Sequence, residues 1–204
     1  MKVPSFLLIL VAVVAMSFNQ PAAPLTAAER KYATDLMRST ADDLIKKIKD
    51  LTPEQLSFKA DAGSWSIAEC VEHIALSESQ LFGWAQSTLQ EPADPSKRSE
   101  VKTKDEDVVK MVTDRSQKNK ADERLTPSGK FSSVDAALEE FKTQREKNIT
   151  YIRTTSDDLR NHYADLPFGK ADTYQIILLM AAHSRRHTLQ IDEVMKNAAF
   201  PKRK

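Results

Sequence analysis

Ala182-His183-Ser184-Arg185-Arg186-His187-Thr188-Leu189-Gln190-Ile191 places two of the chain's four histidines four residues apart inside an apolar-periodic segment. In an α-helix, residues i and i+4 stand one above the other, so both imidazoles can reach one ion and Gln190 shares their face. The pattern begins upstream, where Asp172 with Gln175 forms a cap and Ile176, Ile177, Leu179 and Met180 supply an apolar face. The spacing predicts one long helix over residues 172–197, with the histidine pair in its second half.

Three further helices of the same kind precede it. Thr26 with Glu29 has the capping-box spacing. Beyond it Ala33, Leu36, Met37, Thr40, Leu44, Ile48 and Leu51 recur at three- and four-residue steps, which predicts a helix to about residue 50. Thr52-Pro53-Glu54-Gln55 predicts a short helical turn. Ser66 with Glu69 opens a second long helix, to about residue 89, on Ile67, Cys70, Ile74, Leu81, Trp84 and Ala85. His73 lies inside it, with Glu69 and Ser77 one turn to either side. Ser132 or Ser133 caps a third, which carries Val134, Ala137, Leu138, Phe141, Ile149 and Ile152 to about residue 155. Its Arg145 and Glu146 read as a solvated face.

The connections are less regular. Residues 91–104 read as a loop and residues 105–117 as a short helix on Val108, Val109 and Val112. Residues 119–130, with Pro127 and Gly129, read as a loop again. So long an excursion builds either an edge of a site or a solvated insertion. A linker with an exposed His162, then Pro167, Phe168 and Gly169, joins the third long helix to the last. Four long amphipathic helices predict an all-α four-helix bundle over residues 26–200, as one domain.

Composition agrees with that class. Of 204 residues, 41% are hydrophobic and 29% charged, a globular balance, and only four are glycine, too few for an all-β chain of tight turns. Thirty basic residues against 29 acidic leave a formal charge of +1, which gives no bulk electrostatic case for nucleic acid. The Lys202-Arg203-Lys204 tail reads as a solvated end.

The start of the chain belongs to another class. Lys2 precedes the uncharged apolar run 6–16, and Ser17 to Pro24 are small, polar or proline apart from Phe18. Such a run is short for a membrane span, which needs about 20 residues. Residues 1–23 therefore read as a signal peptide, cleaved near Ala15-Met16-Ser17 or Pro21-Ala22-Ala23, and the mature chain as exported, periplasmic or extracellular, with no membrane span. An uncleaved segment holding the protein at the membrane is the alternative. The single cysteine, Cys70, excludes an internal disulfide and reads as a small buried hydrophobe.

Bundle cores build metal sites from side chains on facing helices. His73 on one helix and His183 with His187 on another would give three neutral imidazoles, enough to hold a divalent transition ion and leave positions open. Hydrogen-bonded histidines without a metal fit the same spacing, and spacing alone does not join His73 to the pair. The His-Glu-x-x-His peptidase motif is absent, because Ser184 stands where its general base would be.

Three stretches together carry a resemblance. Trp65-Ser66-Ile67-Ala68-Glu69-Cys70-Val71-Glu72-His73-Ile74, then Pro167-Phe168-Gly169 with Tyr174-Gln175, then His183 to Ile191, resemble the DinB-like (DinB/YfiT-like) family over residues 28–196. The resemblance implies an up-down-down-up bundle and a tri-histidine site at His73, His183 and His187, holding nickel, zinc or iron. The family includes metal-dependent hydrolases and thiol S-transferases that use glutathione-like cofactors. Dimers are common in it, so the resemblance admits a homodimer.

Two readings of function follow. One is a metal-dependent hydrolase of an unknown small molecule, with Glu69 or Gln190 orienting a ligand or water; Glu69, third in its helix, also fits a capping role. The other is a non-catalytic metal- or ligand-binding bundle, favoured by the lack of a clear acid or base beside the histidines. Export argues against thiol transfer, because low-molecular-weight thiols are chiefly cytoplasmic.

Overall fold

In the computed structural model, residues 24–117 and 121–202 are described. The expected signal peptide, residues 1–23, lies outside them. Among the described residues six α-helices form: α1 (Ala27–Ile48), α2 (Pro53–Ser57), α3 (Ile67–Thr88), α4 (Asp105–Thr113), α5 (Val134–Thr154) and α6 (Thr173–Met195). Their starts are set by side chains that satisfy the first backbone N–H groups. The boxes Thr26/Glu29, Thr52/Gln55 and Ser66/Glu69 all close in both directions, while Ser133 and Asp172 accept from Ala136 N and Gln175 N. Short 3-10 segments at Pro95–Glu100 and Glu123–Leu125 punctuate the excursion between α3 and α5.

The four long helices pack as a closed ring: α1 against α5 and α6, and α3 against the same two. Consecutive helices α1 and α3 thus stand diagonally, as do α5 and α6. Side-chain pairs fix the directions. Tyr174 Oη donates to Glu29 O at 2.7 Å and Lys47 pairs with Asp192, so α1 and α6 run parallel. Thr88 at the end of α3 meets Thr173 at the start of α6, at 2.6 Å between hydroxyls, so these two are antiparallel. Arg30, near the start of α1, donates to Ile152 O and Thr155 O at the end of α5, so α5 runs against α1. The result is up-down-down-up. Among the described residues, no helix is long and apolar enough to cross a membrane.

Three sequence expectations change. The expected linker before α6 contains a hairpin of β1 (Tyr163–Leu166) and β2 (Gly169–Asp172), in register from Tyr163↔Asp172 to Leu166↔Gly169. Four-residue strands are too short to show a period-two pattern. What the sequence does contain is the turn chemistry, Pro167-Phe168 followed by Gly169 at φ 116°, a backbone that L side chains rarely adopt. His162, expected to be exposed, is half-buried just before β1.

The larger correction is Arg145. It is not on a solvated face; it is 1% exposed, in the middle of the core. Its guanidinium donates twice to Glu78 of α3 (2.8 and 2.7 Å), to Met37 O and Thr40 Oγ1 of α1 (2.8 Å each), and to Ser184 Oγ of α6 (2.7 Å). Asn148 Nδ2 completes Glu78 at 2.8 Å. One side chain on α5 therefore ties all four long helices together. This polar layer divides the core into two apolar clusters. One holds Met37, Ile149, Met180 and Ala182; the other holds Ala41, Ile74, Phe141 and Ile191. A lone Arg within an amphipathic pattern looks the same whether it faces water or four polar partners, so periodicity could not separate the two.

Removing one partner of a buried ion pair strands the other, at a cost of about 3–5 kcal/mol. Arg145→Met should therefore lower the unfolding free energy by that amount in denaturant titration, and Arg153→Met, at an exposed α5 position, should change it by less than about 0.5 kcal/mol.

Candidate metal centre

The N-terminal half of α3 and the C-terminal half of α6 run past each other just beside the Arg145 layer. There His73 of α3 meets His183 and His187 of α6. All three imidazoles point Nε2 inward: His73–His187 at 3.1 Å, His183–His187 at 3.2 Å and His73–His183 at 3.4 Å. These three residues form a group able to hold one ion, and it contains no carboxylate.

The outer nitrogens decide what the inner ones offer. His73 Nδ1 lies 2.8 Å from Leu125 O, which can only accept, so this nitrogen carries the proton. His187 Nδ1 lies 2.9 Å from Gln190 Oε1, and Arg115 Nη1 approaches the same oxygen at 3.4 Å. Two donors converging on that oxygen put the second proton on His187 Nδ1. Both rings therefore present bare Nε2 lone pairs, 3.1 Å apart. Two lone pairs at that separation repel, and a cation between them turns the repulsion into two bonds. Hydrogen bonds from the outer nitrogen are the usual way a protein fixes a ligating histidine.

The spacing also fits. Metal–nitrogen bonds of about 2.0–2.1 Å place neighbouring donors about 2.9 Å apart at right angles and about 3.4 Å apart at tetrahedral angles. The observed 3.1, 3.2 and 3.4 Å lie in that range. Neutral imidazoles are suitable donors for zinc, nickel and iron.

Burial keeps the rings neutral. Loss of solvent pushes His73 below the ordinary imidazole value, the Leu125 carbonyl partly opposing it. Burial and the neighbouring His73 hold His183 down to about 3. His187 is lowered further, again chiefly by burial and then by the other two rings. Trp65, just before α3, covers the group, its ring centroid 4.8 Å from that of His73 and 6.0 Å from that of His187.

The excursion between α3 and α5 is an edge of this site. Glu72, beside His73, accepts from Ser128 N, Gly129 N and Lys130 N at 3.0, 3.2 and 2.9 Å, which pins the loop that brings Leu125 O to His73. Arg186 of α6 donates to Val112 O, Asp114 O and Gln117 O, fastening the C-terminal end of α4 to the helix that carries the histidine pair. Between these walls lies a cavity of about 840 Å³ with the three histidines on its surface.

The other candidates fall elsewhere. Glu69 closes the Ser66 cap and pairs with Lys59 at 2.7 Å, so its carboxylate serves the start of α3. Gln190 stands against His187. His162 is outside the histidine group. Cys70 is buried, and burial pushes its thiol up to about 12, which leaves it inert. Glu72, Arg115 and the Leu125 carbonyl were not singled out by the sequence. Their roles arise between segments far apart in the chain, and a backbone carbonyl carries no residue signature at all.

Comparisons with known proteins agree with this architecture. A family model described as the DinB superfamily matches residues 36–191. The uncharacterized protein YuaE of Bacillus subtilis (strain 168) is 27% identical over 149 residues, 72% of this chain and 88% of that protein. Among solved structures, YfiT from Bacillus subtilis, described as a probable metal-dependent hydrolase with an unusual four-helix bundle topology, superposes with a TM-score of 0.57. Its identity is 15%, with 89% of this chain and 94% of that chain covered. At that identity the likeness is one of fold.

The lowered histidine pKa values set a pH dependence for the metal-free protein. Unfolded imidazoles take up protons near pH 6.5, whereas His183 resists until about pH 3 and His187 lower still. Between those limits the unfolded state binds more protons, so stability falls as pH falls. Melting of the metal-free protein from pH 7 to pH 4.5 should show this decline, and a His183→Asn/His187→Asn variant should show a clearly shallower one. Equal slopes would mean that the pair does not carry the effect.

Proposed function

Because the chain belongs to the DinB superfamily, we propose that it is a metal-dependent hydrolase of a small molecule, with His73, His183 and His187 as the ligands of one divalent transition ion. The observation that carries this reading is the facing pair of Nε2 lone pairs on His73 and His187, each fixed by an Nδ1 hydrogen bond and completed by His183. The fold neighbour YfiT, described as a probable metal-dependent hydrolase, supports the same direction. When bound, the ion acts as a Lewis acid that lowers the pKa of water and polarises an acyl oxygen.

The chain's own groups do the positioning. Leu125 O and Gln190 Oε1 hold His73 and His187 in the tautomer that donates inward. Arg115 fixes Gln190 from behind and is itself paired with Glu193 at 2.7 Å on both oxygens. Trp65 covers the ligand rings on one side, while three ligands from two helices leave the cavity side open to substrate. A non-catalytic ligand-binding role is the second reading, favoured by the absence of any carboxylate in the histidine group. We also propose that the mature protein is exported, on the strength of Lys2 and the apolar run 6–16. That placement disfavours thiol transfer.

The test is turnover of p-nitrophenyl esters and anilides by the metal-stripped protein reloaded with zinc, nickel or ferrous iron. Activity should depend on the metal, fall at least 100-fold in His183→Ala or His187→Ala, and persist in Glu69→Gln. Gln190→Leu should weaken metal affinity about 10–100-fold by freeing His187. Metal binding without turnover on any ester or amide favours the ligand-binding reading; turnover that survives chelation contradicts the proposal.

A further inference from the structure

Leu179 interrupts an otherwise closed face. Every residue from 171 to 182 is buried except Leu179, which is half-buried and lines the cavity one helical turn before His183. The same cavity is lined by Leu166 and Phe168, half-buried at the hairpin turn, and by the exposed Pro167 between them. Continuing along α6 past the histidines, the lining turns to polar Gln190 and Glu193, with the buried Val194 behind them. Because residues three to four apart share a helix face, the order Leu179, His183, His187, Gln190 runs as a line: apolar end, metal ligands, polar end.

The charged residues of the lining already have protein partners. Arg115 is paired with Glu193, Asp122 with Arg124, and Arg186 with three backbone carbonyls; Asp61 accepts from Gly63 N and Ser64 Oγ. A charged substrate arm would have to compete with these contacts or give up its hydration without a dedicated counter-charge. The apolar end imposes no such cost. Met111, at 42% one of two exposed large hydrophobics among the described residues, lines the same cavity.

We infer that the cavity takes an uncharged molecule with an aliphatic arm, the arm lying on Leu166, Phe168 and Leu179 and the polar head at the histidines. The assignment of that molecule as substrate rests on the hydrolase reading, and an ester or amide of an aliphatic acid or alcohol is then the fitting class. Phe168 and Leu179 are the residues that set its length preference.

The test uses metal-free protein, so it is independent of turnover. In a Trp84→Phe background Trp65, on the cavity wall, is the remaining tryptophan of the two in the chain. Its emission is followed during titration with n-alkanols of four to eight carbons, and with the matching carboxylates and amines. Affinity for the alcohols should rise up to about fourfold per methylene, the increment that burial of one CH₂ supplies. The charged series should bind at least tenfold more weakly. Leu179→Ser and Phe168→Ser, half-exposed positions on separate elements, should each flatten the dependence on chain length, while Arg153→Met, at an exposed α5 position outside the cavity, should leave it in place. Affinity that does not vary with length, tighter binding of either charged series, or unchanged slopes in both variants would overturn the inference. Any of these can occur with metal-dependent turnover intact, and loss of turnover can occur with the alkyl preference intact, so the two readings fail separately.

Discussion

The Arg145–Glu78 pair is the constraint on which the bundle depends. Taking a guanidinium and a carboxylate out of water costs several kcal/mol for each ion, and only a fully hydrogen-bonded arrangement offsets that. Here the arrangement needs all four long helices: Met37 O and Thr40 from α1, Glu78 from α3, Ser184 from α6, and Arg145 with Asn148 from α5. Apolar clusters above and below can slide by a fraction of a turn at modest cost. A polar layer with these specific partners cannot, because a shift leaves charged groups buried and unpaired. It therefore sets the axial register of α3 against α6.

That register is what brings the histidines together. Ser184 adjoins His183 on α6, and Glu78 lies five residues beyond His73 on α3, so the groups that fix the layer are within about a turn of the ligands. Three Nε2 atoms within 3.4 Å of one another, drawn from two helices, require that precision. The excursion between α3 and α5 adds the final orientation. Glu72 anchors its backbone and Leu125 O turns His73, while Gln190 does the same for His187. Rigid helices supply position, and neutral oxygen acceptors supply tautomer.

How much of this was legible follows from the range of each interaction. The helix starts are local, and Thr26/Glu29, Ser66/Glu69 and Asp172/Gln175 announced them within four residues. The His183/His187 pair was visible for the same reason. His73 could be joined to it only through the family landmarks, since nothing in spacing fixes which faces of α3 and α6 meet. Arg145 was misread because a periodic pattern marks a charged residue as outward, whereas its partners come from three other helices. Glu72 and Leu125 act across more than 50 residues of chain, one on backbone N–H groups and one through a carbonyl. The hairpin was hidden by the shortness of its strands, though Gly169 marked its turn.

Whether three imidazole nitrogens form one metal centre is decided by X-ray absorption on protein purified with its metal. The expected spectrum is that of one divalent transition ion per chain, with three imidazole nitrogens at about 2.0–2.1 Å and the remaining shell of light atoms. His73→Ala should remove one imidazole from the shell. An ion held by fewer than two imidazoles, or a His73→Ala spectrum identical to that of the parent, would contradict the three-imidazole centre.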